Sequence, residues 1–208
     1  LVNHGVSVLR EFSRRFDVPF GTRHSARDPR LLAELSFAGG ISSFEGGAIS
    51  YNVPYFKDYT LAESIRRWQY VDRLCGIYAE QYGISIDREF FGALTGTLVP
   101  PSIAIVVNVL EMLLALAQGV RCFSLGYAEQ GNRAQDLSAM RVLREAAADM
   151  LAAFGGSDMQ LGVVYYQFMG AFPRDRARAR ELIFESAVTA GMASPTRMIV
   201  KTAIEASG

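Results

Sequence analysis

The run Ile41–Phe56, ISSFEGGAISYNVPYF, decides the fold class. Its first part, ISSFEGG (41–47), is a strand candidate that ends on two glycines, and its second part crowds Glu45, Ser50, Tyr51 and Tyr55 into one short loop. Both flanks are helical in pattern. Upstream, DPRLLAELSFAGG (28–40) opens on Asp-Pro and closes on glycines. Downstream, TLAESIRRWQYVDRLCGIYAEQYG (60–83) sets Thr60 three residues ahead of Glu63, a capping box, and stops at Gly83. A strand, a polar loop and a capped helix in succession form the repeating unit of a parallel α/β protein.

The unit recurs in both directions. Before it come a helix over Val6–Phe16 and a short strand, DVPFGTRH (17–24). After it come the strand and loop ISIDREFFGALTG (84–96), an apolar helix over 102–120 behind Pro100 and Pro101, and the strand RCFSLGYA (121–128). A helix from about 132 to 154, the strand MQLGVVYYQF (159–168), a helix from about 173 to 191 and the strand TRMIVKT (196–202) complete the chain. Strands alternating with helices fit either an open doubly wound sheet or a (β/α)8 barrel.

The loops separate the two. Arg23 and His24, Glu45 to Tyr55, Gly92 to Thr97, Gly126 to Asn132, Gln167 to Pro173 and Lys201 to Glu205 each follow a strand. In a barrel all such ends converge on one mouth, whereas an open sheet holds ligands at a single switch point. The expected fold is therefore an incomplete (β/α)8 TIM barrel with about six βα units, one domain over residues 1–208. Because the chain starts at a helix and stops after a strand, a piece of a longer protein is expected.

Composition narrows the chemistry. The 208 residues are half hydrophobic and carry 21 basic and 21 acidic side chains, so no net field favours nucleic acid or an anionic membrane. Cys75 and Cys122 lie far apart in no C-x-x-C arrangement and read as reduced, cytoplasmic thiols. The 102–120 helix approaches membrane-spanning length but holds Asn108, Glu111 and Gln118, which favours a helix packed inside a protein. Two histidines, His4 and His24, and no H-E-x-x-H argue against a protein-held metal. Phosphate-binding glycine loops and a G-x-S-x-G elbow do not occur in the sequence.

Gathered at one mouth, Arg23, His24, Glu45, Tyr51, Tyr55, Lys201 and Glu205 suit an amino acid: a guanidinium grips its carboxylate, and a carboxylate among phenols takes its ammonium. Taken singly, each residue has a structural reading as well. Tyr51 and Tyr55 serve as packing residues and Lys201 as a partner of Glu205.

The runs RHSARDPRLLAEL, FEGGAISYNVPY, WQYVDRL, FGALTGTLVPPS, GYAEQGNRAQD, FMGAFP and VKTAIEA together resemble the large (epsilon) subunits of glutamate mutase, the adenosylcobalamin-dependent methylaspartate mutases. The resemblance implies the central and C-terminal part of a catalytic (β/α)8 barrel. It implies interconversion of L-glutamate and threo-3-methylaspartate by radical chemistry that the coenzyme supplies. Arg23 would hold a substrate carboxylate with His24 beside it, and Glu45 would meet the ammonium inside a cage completed by Tyr51 and Tyr55. On the cofactor side, Pro54 and Phe172 would lie against the corrin, with Lys201 and Glu205 at the adenosyl ribose. The glycines after Glu45 would let backbone approach the corrin. Further substrate arginines of the family belong to the segment that would precede Leu1. In this family the cobalt-binding D-x-H-x-x-G motif resides on a separate small (sigma) subunit, and it does not occur in this sequence, so a partner is implied; the resemblance further implies a large-subunit homodimer. Two alternatives stand beside this reading: a noncatalytic split piece that folds only with a complementary segment, and a related mutase acting on another amino acid.

Overall fold

The computed structural model describes residues 4–56, 58–91 and 99–204. Helices and strands alternate: α1 (Gly5–Arg15), β1 (Gly21–Thr22), α2 (Arg30–Ala38), β2 (Ser43–Glu45), α3 (Leu61–Tyr82), β3 (Asp87–Phe90), α4 (Pro101–Leu116), β4 (Cys122–Ala128), α5 (Arg133–Ala153), β5 (Gln160–Tyr166), α6 (Arg176–Ala193) and β6 (Arg197–Ile199). The strands form one parallel sheet in the order β1-β2-β3-β4-β5-β6. Of the sequence-predicted loops, Gly92 to Thr97 lies outside the described residues, as does Glu205.

Local chemistry sets the helix ends. Thr60 Oγ1 accepts the Glu63 N–H at 3.2 Å, but Glu63 turns its carboxylate to Arg67, so half of the expected capping box forms. Asn132 and Asp175 cap α5 and α6 in the same way, which delays α6 to Arg176 rather than 173. Gly83 closes α3 in the left-handed region at φ 65°.

Alternation along the strands divides the protein into two chemical zones. Outward side chains, among them Phe44, Phe90, Phe123, Leu125 and Tyr165, are buried against Trp68 and Val71 of α3, Met112 of α4 and Leu143 of α5. The inward set is polar. Ser43 and Ser124 each donate a hydroxyl to Asp87, and Arg197 of β6 reaches both Asp87 (3.0 Å) and Glu89 (2.5 Å) of β3. Strands three places apart in a flat sheet lie about 14 Å from each other. Direct contact between them means that the sheet curls round its polar face.

The polar residues of α4 also find their places. Asn108 donates to the Ala104 and Gly126 carbonyls and accepts the Gly126 N–H, tying α4 to β4. Glu111 turns toward the loop after β2. No described helix is long and apolar enough to cross a membrane.

Candidate active site at the carboxyl ends of the strands

A cavity of about 290 Å³ opens at the strands' carboxyl ends, lined by Arg23, His24, Glu45, Tyr51, Tyr55, Phe91, Tyr166, Met169, Ile199, Val200 and Lys201. Six of the residues expected from sequence thus meet in one place, although Arg23 and Lys201 are 178 positions apart. Curling supplies the reason, since it turns the ends of β1, β2, β5 and β6 toward one another.

Arg23 lies at the centre. Its Nη1 is 2.5 Å from Glu45 Oε2 and donates to the Tyr166 hydroxyl at 3.1 Å, while Nη2 pairs with Glu89. The guanidinium also sits over the Tyr166 ring, 5.1 Å from its centroid. Burial pushes the Glu45 carboxyl up to about 7, with Arg23 pulling in the opposite direction. Tyr51 donates its hydroxyl to Glu45 Oε1 at 3.2 Å.

His24 belongs to an aromatic box. Its ring stacks on Trp68 with centroids 6.0 Å apart and meets Tyr51 edge-on at 5.3 Å. Burial, reinforced by the charge of Arg88, lowers its pKa to about 4, so the imidazole is neutral at pH 7. Nδ1 accepts the Ala26 N–H at 3.0 Å, which assigns the proton to Nε2. That nitrogen is buried, and the ring's interaction with the Glu45 backbone pulls its pKa back up against burial and Arg88.

The expected cofactor-side residues divide. Lys201 lines the cavity, two residues beyond the end of β6 rather than on the strand; its N–H is held by Gln167 Oε1 at 2.7 Å. Phe172 lies outside the lining, with its ring 6.0 Å from Lys201 Nζ. Pro54 is exposed on the loop between Tyr51 and Tyr55 and also stands outside the lining.

Two glycines face the other way from the expectation. A Cβ on Gly46, whose φ is 113°, would lie 2.5 Å from the Trp68 ring, and one on Gly47 would lie 2.2 Å from the Glu111 carboxyl carbon. They make room for the protein's own Trp68 and Glu111 side chains. Glu111 Oε1 accepts the N–H groups of Ile49 (2.7 Å) and Ser50 (2.8 Å) and shares the Ser50 hydroxyl with Oε2 (3.0 Å each). Arg88 donates to the Phe44 and Gly46 carbonyls on the opposite side of the same loop. The tyrosine loop is therefore clamped at both its N–H and C=O groups. Gly47→Ala should displace Glu111 and free three donors, lowering the stability of the full-length protein by about 2–3 kcal/mol. A denaturation midpoint unchanged from the parent would show that the clamp yields without cost.

Glu89, Tyr166 and Arg197 are site residues that the loops did not reveal, because all three lie within strands. One sequence signal for Glu89 existed: in Asp87-Arg88-Glu89-Phe90 the two acids share a face.

The chain is 50% identical over 207 residues to the glutamate mutase epsilon subunit of Desulfitobacterium hafniense (strain Y51) and 50% over 207 residues to that of Halobacterium salinarum. It is 47% identical over 208 residues to that of Escherichia coli O157:H7. Each comparison covers 100% of this chain but only 42–43% of the relative, so the chain spans less than half of their length. Among solved structures, 2,3-dimethylmalate lyase, a PEP mutase/isocitrate lyase superfamily member, matches with a TM-score of 0.38 and 11% identity, over 88% of this chain and 60% of that one. The family model described as methylaspartate mutase E chain matches residues 1–208, the mouth and its clamps included, and the chain belongs to that family.

Proposed function

We propose that this chain carries the mouth of an adenosylcobalamin-dependent mutase, an isomerase interconverting L-glutamate and threo-3-methylaspartate. The observation that carries the proposal is the Arg23–Glu45 pair, facing a cavity at the strand ends in a member of this family. Arg23 binds a substrate carboxylate and Glu45 the ammonium, with the Tyr51 hydroxyl fixing Glu45 and Tyr55 closing the side. His24 donates from Nε2. The curl of the sheet supports a closed (β/α)8 barrel once the rest of the longer protein adds the missing strands.

The chemistry of the rim fits the coenzyme. Val53, Tyr55, Val200 and Ile204 are all more than half exposed on the loops after β2 and β6, an apolar rim suited to the face of a corrin. Pro54, on the loop after β2, and Phe172, on the loop after β5 beside Lys201, would lie against the corrin, and Lys201, with Glu205, would hold the ribose. When bound, the coenzyme supplies a carbon-centred radical by homolysis of its cobalt–carbon bond. The chain's own residues hold the amino acid still and exclude water. A small sigma subunit would supply the histidine that holds the cobalt, with the large subunits forming a homodimer in the cytoplasm.

The test combines the full-length protein with the small subunit, coenzyme and isotope-labelled L-glutamate; methylaspartate is the expected product, and none formed would end the proposal. Lys201→Ala should weaken coenzyme affinity about tenfold while glutamate affinity stays within threefold. An unchanged cob(II)alamin signal on adding substrate to this variant would remove Lys201 from the coenzyme site.

A further inference from the structure

The Arg23–Glu45 pair rests on a side chain with no part in the proposed chemistry. Glu89 of β3 is 4% exposed at its side chain; Oε1 accepts from Arg23 Nη2 and from the Tyr166 hydroxyl, and Oε2 accepts from Arg197 at 2.5 Å. Arg197 is held in turn by Asp87, and Asp87 by the hydroxyls of Ser43 and Ser124. Residues from or beside β1, β5 and β6 thus fix one carboxylate on β3.

The two carboxylates on Arg23 are not equivalent. Glu89 makes formed hydrogen bonds through both oxygens. Glu45 Oε2 approaches Arg23 to 2.5 Å yet has no partner in hydrogen-bond geometry, so that contact is one of charge alone. Arg23 is also the exposed member of the group, 40% at its side chain against 9% for Glu45.

We infer that Glu89 is a positioning residue that locks the Nη2 edge of Arg23, so that an amino acid enters by exchange at the other edge: its carboxylate replaces Glu45 on Nη1 while its ammonium takes Glu45. The inference rests on the mutase reading for the identity of the amino acid. One ion pair becomes two, so the ammonium and one carboxylate of the amino acid are each compensated as they enter, and the second carboxylate needs a cation from outside this pair. A guanidinium performs this and an ammonium does not, because the exchange needs two separate donor edges. With Gln in place of Glu89, Arg23 turns toward Glu45 and the exchange loses its fixed edge.

The experiment uses the full-length protein with its small subunit and coenzyme, comparing parent, Glu89→Gln and Tyr166→Phe. Glu89→Gln should raise KM for glutamate, and the calorimetric Kd for L-glutamate, at least tenfold, with kcat and coenzyme affinity within threefold. Tyr166→Phe keeps every charge and removes the hydroxyl that bridges Arg23 and Glu89; its KM should rise three- to tenfold, and it decides the matter if Glu89→Gln does not fold. In the parent, glutarate, which lacks the ammonium, should bind at least tenfold more weakly than glutamate. KM values within twofold of the parent would overturn the exchange while leaving the mutase reading intact, and glutarate bound as well as glutamate would overturn both the exchange and the placing of the ammonium on Glu45. A parent that neither binds nor converts glutamate overturns the exchange and the mutase reading together.

Discussion

Replacing Glu45 by Gln in the complete enzyme should lower kcat/KM for glutamate by about 100- to 1000-fold. The substrate ammonium would lose a carboxylate partner in a buried site, a change worth about 3–4 kcal/mol, and each 1.4 kcal/mol is tenfold in rate. Gln keeps the shape and accepts the Tyr51 hydroxyl as before, so packing changes little. Turnover within twofold of the parent would remove Glu45 from the site. The pH profile gives a second readout. Glu45 carries a pKa raised to about 7 by burial, and it must be ionised to meet an ammonium. The substrate ammonium stays protonated throughout this range, so affinity should climb as pH rises through about 7, and the rise should vanish in Glu45→Gln. Stability moves the opposite way. With its folded pKa raised, Glu45 holds a proton that the unfolded chain has released, so its contribution falls as pH rises from the ordinary carboxylate range to about 7.

The sequence was informative about the mouth because most of its polar side chains follow the strands. Arg23, His24, Tyr51 and Tyr55 lie in turns where apolar runs stop, with Glu45 the last residue of β2, and polar clusters at such ends are visible without coordinates. β4 and β5, with seven residues each and long apolar stretches, read clearly. β1 shrank from the expected 17–24 to Gly21–Thr22 because it is paired on one side only and Pro19 lacks an N–H to donate. β6 stopped at Ile199, leaving Lys201 on a loop. What stayed hidden were polar residues inside strands. Glu89 and Arg197 occupy the inward face that in most parallel barrels is filled by branched aliphatic side chains, and nothing in a single sequence distinguishes an inward from an outward acid until the curl is known. The packing role of the glycines stayed hidden for a related reason: their neighbours, Trp68 and Glu111, come from α3 and α4, which no local pattern brings beside residues 46 and 47.

Arg88→Met should be the most destabilising single change in the described part of the chain. Arg88 is fully buried, with Nε 2.7 Å from Asp72 Oδ1, Nη1 2.5 Å from the Phe44 carbonyl and Nη2 2.8 Å from the Gly46 carbonyl. Its guanidinium also lies 4.9 Å from the centroid of Trp68. Methionine fills much of the volume and satisfies none of these acceptors. Leaving Asp72 buried without its partner costs about 3–5 kcal/mol. Two orphaned carbonyls add to this, each worth about 1–3 kcal/mol. The loss should depend on pH in a direction that identifies its cause. Burial already pushes Asp72 up while Arg88 pulls it down, so removing Arg88 raises it further. Folding of the variant then takes up a proton over a wider pH range above the ordinary carboxylate values than folding of the parent does, and its stability should go on falling, by up to about 1.4 kcal/mol per unit, at pH values where the parent's dependence at this residue has levelled off. Adding Asp72→Leu should abolish that slope and return the charge part of the loss, while the carbonyls of Phe44 and Gly46 stay unpaired and the tyrosine loop stays loosened. Chemical denaturation of the full-length protein and both variants at pH 5 and pH 8 measures each part. A single variant within 1 kcal/mol of the parent at pH 8 would mean that Arg88 does not hold the loop that presents Glu45 and Tyr51.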